Sequence, residues 1–232
     1  MFILNHYLCI MIIIRPLIEV LGRIMKLPKG SYLDPTTLGS GNPGSSNWLR
    51  GDGSWQPITP GPTTYGLYTQ TASSAPVTNT TVETTLLDGG VGTLTIPANA
   101  FQVGDSFHAI MTGHISSDNN RTLHIRIKAG SVLLADTGVI TLPQITSKHF
   151  KLDICFTVRA LGAAGVASIA SGGDFTYAKD ASNGFEGSSF STENSTTFDT
   201  TISNTLEITA EWGNASTNNS IYSEIFTLSK TY

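Results

Sequence analysis

From about residue 77 onward, apolar and polar positions alternate with period two, the signature of strands that bury one face and leave the other wet. The pattern is clearest where Phe150, Leu152, Ile154, Phe156 and Val158 fall on one face and Lys151, Asp153, Cys155, Thr157 and Arg159 on the other. The same parity sets Leu123, Ile125 and Ile127 against Thr122, His124, Arg126 and Lys128, and Leu206, Ile208, Ala210 and Trp212 against Glu207, Thr209 and Glu211. Further strands are expected over 82–87, 92–97, 106–115, 131–135, 166–178 and 220–229. Turn signals at Asp88-Gly89-Gly90, Val103-Gly104-Asp105, Asp118-Asn119-Asn120, Ala129-Gly130 and Gly172-Gly173 bound them. Such spacing, without any helical periodicity, predicts an all-β fold: an antiparallel β-sandwich, jelly-roll-like, forming a head over 67–232. The irregular Ser/Gly/Phe text from Asp180 to Thr197 predicts one long loop. In the last strand Tyr222, Phe226 and Leu228 share one parity while Ile221 and Ile225 hold the other. Either the strand is interior to a curled sheet, or a neighbouring subunit covers its second face.

The text before residue 67 is of another kind. Residues 1–25 carry Phe2-Ile3-Leu4 and the run Leu8-Cys9-Ile10-Met11-Ile12-Ile13-Ile14, stopped by Arg15-Pro16. The run is too short for a transmembrane helix, which needs about 20 apolar residues, and its charges follow it where a secretory signal would put them first. The segment reads as an anchor buried in a larger particle, as upstream text of an over-long reading frame starting naturally at Met25-Lys26, or as a membrane anchor, the least favoured of the three. Residues 26–66 are dense in proline and glycine, which blocks helix and central strand, and predict an extended or turn-rich stalk or collar. Asn42-Pro43-Gly44 and Asp52-Gly53 are its turn signals, with Trp48 and Trp55 expected to pin them by apolar contact.

The run Gly41-Asn42-Pro43-Gly44-Ser45-Ser46-Asn47-Trp48-Leu49-Arg50-Gly51-Asp52-Gly53-Ser54-Trp55 resembles a segment that recurs in bacteriophage tail-fibre and giant-virus fibre-like proteins upstream of a β-rich tip. Ser54 stands where Thr is more usual. The stretch Ile208 to Ser216 also resembles a late strand of such tips. The resemblance implies a virion structural protein, a trimeric attachment or vertex component. Within this segment Arg50-Gly51-Asp52 is also a tripeptide read by some adhesion receptors, but its Asp-Gly turn accounts for it without a receptor.

Charged residues are only 13 % of the chain, against about 25 % in an ordinary soluble protein. The net charge of −4 comes from 17 acids and 13 bases with no run of either sign, so no field is focused on nucleic acid or anionic lipid. Cys9 and Cys155 lie in unlike contexts and read as unpaired. No Gly-x-Ser-x-Gly elbow or phosphate loop is present. His6, His108, His114, His124 and His149 lack zinc-motif spacing, although His108 and His114 share a strand face. Asp88, Asp105, Asp118, Asp136 and Asp174 are expected to cap turns. The five Asn-x-Ser/Thr sequons, at Asn79, Asn120, Asn194, Asn214 and Asn218, indicate surface loops more than glycosylation.

These features predict a non-enzymatic virion protein without cofactor, metal or catalytic set. Its N-terminal segment would join other virion proteins, and its head would form a homo-oligomer, threefold by expectation, that seals a vertex or binds a host-surface glycan or receptor. Phe175, Tyr177, Phe185 and Phe190 are the candidate sugar-stacking aromatics, with core or subunit contacts as their alternative role. Nucleic acid is not an expected partner. The rival readings are a secreted carbohydrate-binding module and, with nothing in its favour, a polysaccharide-degrading tip.

Overall fold

A computed structural model describes residues 38–41, 47–57, 65–179 and 184–232. The apolar leader, Cys9, His6 and the Asn42-Pro43-Gly44 turn lie outside them. Among the described residues there is no α-helix, and hence none long and apolar enough to cross a membrane. The protein is all-β with antiparallel sheets. It divides into two units, Met1–Gly61 and Pro62–Tyr232.

In the first unit β1 (Asn47–Leu49) and β2 (Trp55–Pro57) form an antiparallel hairpin. Its turn is closed by Arg50 N–H donating to Ser54 O (2.9 Å) and Gly53 N–H to Arg50 O (3.0 Å). Asp52 Oδ1 accepts from both the N–H (3.0 Å) and the Oγ (2.7 Å) of Ser54. Gly53 sits at φ +77°, a left-handed conformation that glycine adopts without penalty. Ser40 flanks the hairpin, donating to Gly53 O and accepting from Trp55 N–H, both at 2.8 Å. Trp48 is 53 % exposed, and the Asp52 side chain and the backbone hold this turn.

The second unit contains β3 (Tyr65–Gln70), β4 (Val77–Thr78), β5 (Thr84–Thr85), β6 (Gly90–Gly92), β7 (Thr95–Ile96), β8 (Ser106–Ser117), β9 (Arg121–Ala129), β10 (Val132–Leu142), β11 (Ile145–Ala160), β12 (Ser168–Ala178), β13 (Phe185–Asn194), β14 (Asn204–Trp212) and β15 (Ser220–Lys230). Sheet A has the order β13-β12-β11-β8-β15-β3-β6, with β4 on the start of β15. Sheet B has the order β10-β9-β14-β5, with β7 on β14. Four pairs are nested about the β9–β10 turn: β9 with β10, β8 with β11, β5 with β14, and β3 with β15. The β12–β13 hairpin is appended outside this nest, beyond β11.

Both sheets contribute inward residues to one hydrophobic core. All five apolar residues of the 150–158 pattern are buried, as are Leu123, Ile125, Ile127, Ile208, Ala210 and Trp212. Trp212 is fully enclosed, and its Nε1–H donates to Val77 O at 2.9 Å. Phe101 packs edge-on against Phe107 and Phe198 (centroids 6.1 and 5.7 Å). Gly113 is required by close approach, because a Cβ there would lie 2.0 Å from Tyr222 O on the adjacent strand.

Several expectations are corrected. Residues 185–194, expected within a long loop, form β13, paired with β12 from Ile169↔Asn194 to Ala178↔Phe185. Its sequence lacks alternation because it is an edge strand with mostly exposed side chains and needs only backbone pairing. The strand expected over 131–135 continues to Leu142 through two register shifts. At the second, Asp136 Oδ1 accepts from Gly138 N–H at 2.7 Å. The 82–87 and 92–97 segments are regular only in part, as β5, β6 and β7. Asp88 and Asp105 do hold nearby backbone N–H groups, of Gly89 (2.6 Å) and Gln102 (3.0 Å). Asp174 does not cap a turn: it lies within β12, directly opposite Asp153.

The mixed parity of β15 has a local cause. A β-bulge between Ser223 and Ile225, where the register on β8 shifts by one residue, reverses the strand's facing. Ile221 and Phe226 are consequently both buried, and Ile225 is 56 % exposed. Ser223, fully buried at the bulge, donates to Leu86 O (2.6 Å) and accepts from Gln70 Nε2 (2.9 Å). Its N–H donates to Ser74 Oγ (3.0 Å).

Candidate functional site

The four aromatics expected to stack on sugar are divided by the structure. Phe175 and Tyr177 point inward from β12 and are 0 % and 2 % exposed, so neither ring offers a face to a ligand. Burial and the bond to Glu186 push the Tyr177 phenol far above its usual range, which makes Tyr177 a neutral donor to Glu186 Oε2 at 2.9 Å. Phe190 is partly buried against the core. Phe185 alone is open, at 72 % exposure, at the start of edge strand β13.

A polar cleft of about 390 Å³ lies at the same end of sheet A, where the β8–β9, β10–β11 and β14–β15 connections meet. Its walls include Ser116, Asp118, Gln144, Thr146, Thr217 and Asn218. Asp118 ties two of the connections, accepting from Ser216 Oγ (2.9 Å) and Asn218 Nδ2 (3.0 Å), while its own N–H donates to Asn219 Oδ1 (3.3 Å). Asn219 is itself fully buried. A rim of hydroxyls, amides and one carboxylate on braced loops suits many short hydrogen bonds to a polyhydroxylated ligand. Sequence reasoning named Asp118-Asn119-Asn120 only as a turn. What it lacked was the pairing of β8 with β15, which brings residues a hundred positions apart together.

The outward face of sheet A carries a second cluster. His108 on β8 is in register with Cys155 on β11, and His108 Nε2 lies 2.7 Å from Asp153 Oδ1. Lys151 Nζ holds the other oxygen, Oδ2, at 2.7 Å. One donor atom from each of His108, Asp153 and Cys155 lies within 4.8 Å of the other two. Partial burial of Asp153 opposes its ionisation, but the bonds from Lys151 and His108 outweigh it and hold the carboxyl below its usual 3.8. Burial, and then the charge of Asp153, push the Cys155 thiol above its usual 9.0. Cys155 is exposed and unpaired. Parity alone put Asp153 and Cys155 on the wet face; the strand register adds His108. His114, also on the outward face of β8, stacks on Tyr222 (5.9 Å) and does not join the cluster.

The outward face of sheet B is occupied by a self-satisfied ion network. Glu83 takes Lys128 (2.8 Å), Arg126 (3.1 Å) and Thr209 Oγ1 (2.7 Å), and Arg126 also meets Glu211 (2.5 Å). Between the sheets, an apolar cavity of about 50 Å³ remains where Leu67, Phe107, Leu134, Phe156, Phe198 and Leu206 converge.

Comparison with protein-family models, with curated proteins and with solved structures returned no match.

Proposed function

We propose that the protein is a non-enzymatic virion structural component, a fibre, spike or vertex element, whose head is a jelly-roll β-sandwich that binds a host-surface glycan through the loop-end cleft. The nested pairing about β9–β10 supports the sandwich: rolling one long hairpin into two facing sheets produces such a nest. The observation that carries the binding role is the cleft itself, polar, braced by Asp118 and placed on connections at one end of the sheets. The virion context rests on the resemblance of the Asn42 to Trp55 segment to fibre proteins. That resemblance also underlies a homotrimer with its N-terminal segment docked on other virion proteins.

The test uses the whole chain. Light scattering is expected to give three copies, and a glycan array is expected to give binding that weakens in Asp118→Ala with the fold retained. A monomer in light scattering overturns the oligomeric fibre reading. Glycan binding by a monomer whose residues 1–60 can be deleted without effect establishes the rival, a secreted carbohydrate-binding module. Polysaccharide turnover abolished by one Asp→Asn change establishes the hydrolase.

A further inference from the structure

We infer that His108, Asp153 and Cys155 form a transition-metal site on the outward face of sheet A, suited to Zn²⁺. The inference is independent of the glycan reading. Imidazole nitrogen, carboxylate oxygen and thiolate sulfur are the three donor types that zinc takes from proteins. Calcium and magnesium, which want oxygen alone, do not suit a set containing sulfur. With Zn–N and Zn–O near 2.0 Å and Zn–S near 2.3 Å, tetrahedral donors stand about 3.3 to 3.6 Å apart. The three donors here already lie within 4.8 Å of one another. Bringing them to bonding distance therefore takes side-chain adjustment on two strands whose backbone is fixed by continuous pairing.

Two surrounding features point to a cation. Asp174 on β12 stands directly opposite Asp153, and like charges directly opposed across strands are destabilising unless something neutralises them. Lys151 offsets part of this charge at Asp153 Oδ2, and a metal bound at Oδ1 adds to that neutralisation. The residue opposite Cys155 on β12 is Gly172. A Cβ there would make only ordinary contacts, none closer than 3.5 Å, so the backbone does not demand glycine at this point. Its effect is to leave the sulfur uncovered. Lys151 is the internal competitor: it holds Asp153 Oδ2 while Oδ1 faces His108.

The experiment strips the full-length protein with a chelator and titrates Co²⁺, then displaces it with Zn²⁺. The expected result is saturable binding at one ion per chain, with tetrahedral visible bands and a thiolate-to-cobalt charge-transfer band. Cys155→Ser abolishes that band. His108→Asn weakens binding by more than the roughly 10- to 100-fold loss that follows removal of a supporting residue. Lys151→Met tightens it, which a merely structural role for Lys151 does not predict. Cys9→Ser, the control for the other thiol, leaves all readouts unchanged. Circular dichroism establishes that each variant is folded. Absence of saturable binding, or a band that survives Cys155→Ser, overturns the site.

Discussion

Trp212 joins a large apolar payload to one specific hydrogen bond. Truncation to Ala removes a fully buried indole and opens a cavity, a change that costs about 3–5 kcal/mol. Trp212→Phe keeps much of the volume but leaves Val77 O without its donor, at about 1–2 kcal/mol; urea unfolding of the two variants separates packing from hydrogen bonding. Glu83 makes the electrostatic case. The Lys128 bond, then the Thr209 bond, lower its pKa below 4.5. A depressed folded-state value means that the charged network stabilises fully above 4.5 and that this contribution disappears as pH falls through the folded value. Thermal melts of wild type and Glu83→Gln, run from about pH 7 to about pH 3, are expected to differ most at the neutral end and to converge on acidification. A gap that widens toward acid contradicts the assignment.

At the scale of elements, β15 and β13 show two ways in which a strand departs from simple alternation. In β15 one extra residue at Ser223–Ile225 swaps the faces, so that Ile221 and Phe226, of opposite parity, both reach the core. The bulge is held by a buried polar group, and Ser223→Val strips Leu86 O of its hydroxyl donor and the Gln70 amide of one of its acceptors. The expected loss is about 2–3 kcal/mol in denaturant unfolding, larger than surface changes usually cause. In β13 alternation is absent since little of the strand faces the core. Its edge is instead fastened to sheet B by side chains: Ser188 Oγ donates to Thr137 O (3.0 Å) and Asn194 Nδ2 to Leu133 O (2.8 Å). Asn194 Oδ1 also accepts the N–H groups of Thr196, Thr197 and Phe198, at 3.0 to 3.2 Å. That web is what turns the chain from β13 toward β14.

Across the whole second unit, protection from hydrogen exchange should follow the sheet order, as local opening energies rise toward the most enclosed strands. Amides of β8 and β11, each paired on both sides, are expected to exchange slowest, and those of β13 and the short β5 and β7 fastest; mass-spectrometric exchange by segment checks this. Uniform protection across β13 in the isolated chain contradicts its place as an edge. The all-β character, and the inward sets of β9, β11 and β14, were determined by sequence alone, because alternation with period two is a local consequence of which face meets water. The same parity put Asp153 and Cys155 on the wet face of their strand. Tertiary structure alone decided which strands are neighbours and in what register, since backbone hydrogen bonds carry no side-chain code. That register brought His108 beside Cys155 and set Asp118 against Ser216 and Asn218, and the packing of the sheets gave Phe175 and Tyr177 the core role that the sequence left open beside sugar stacking.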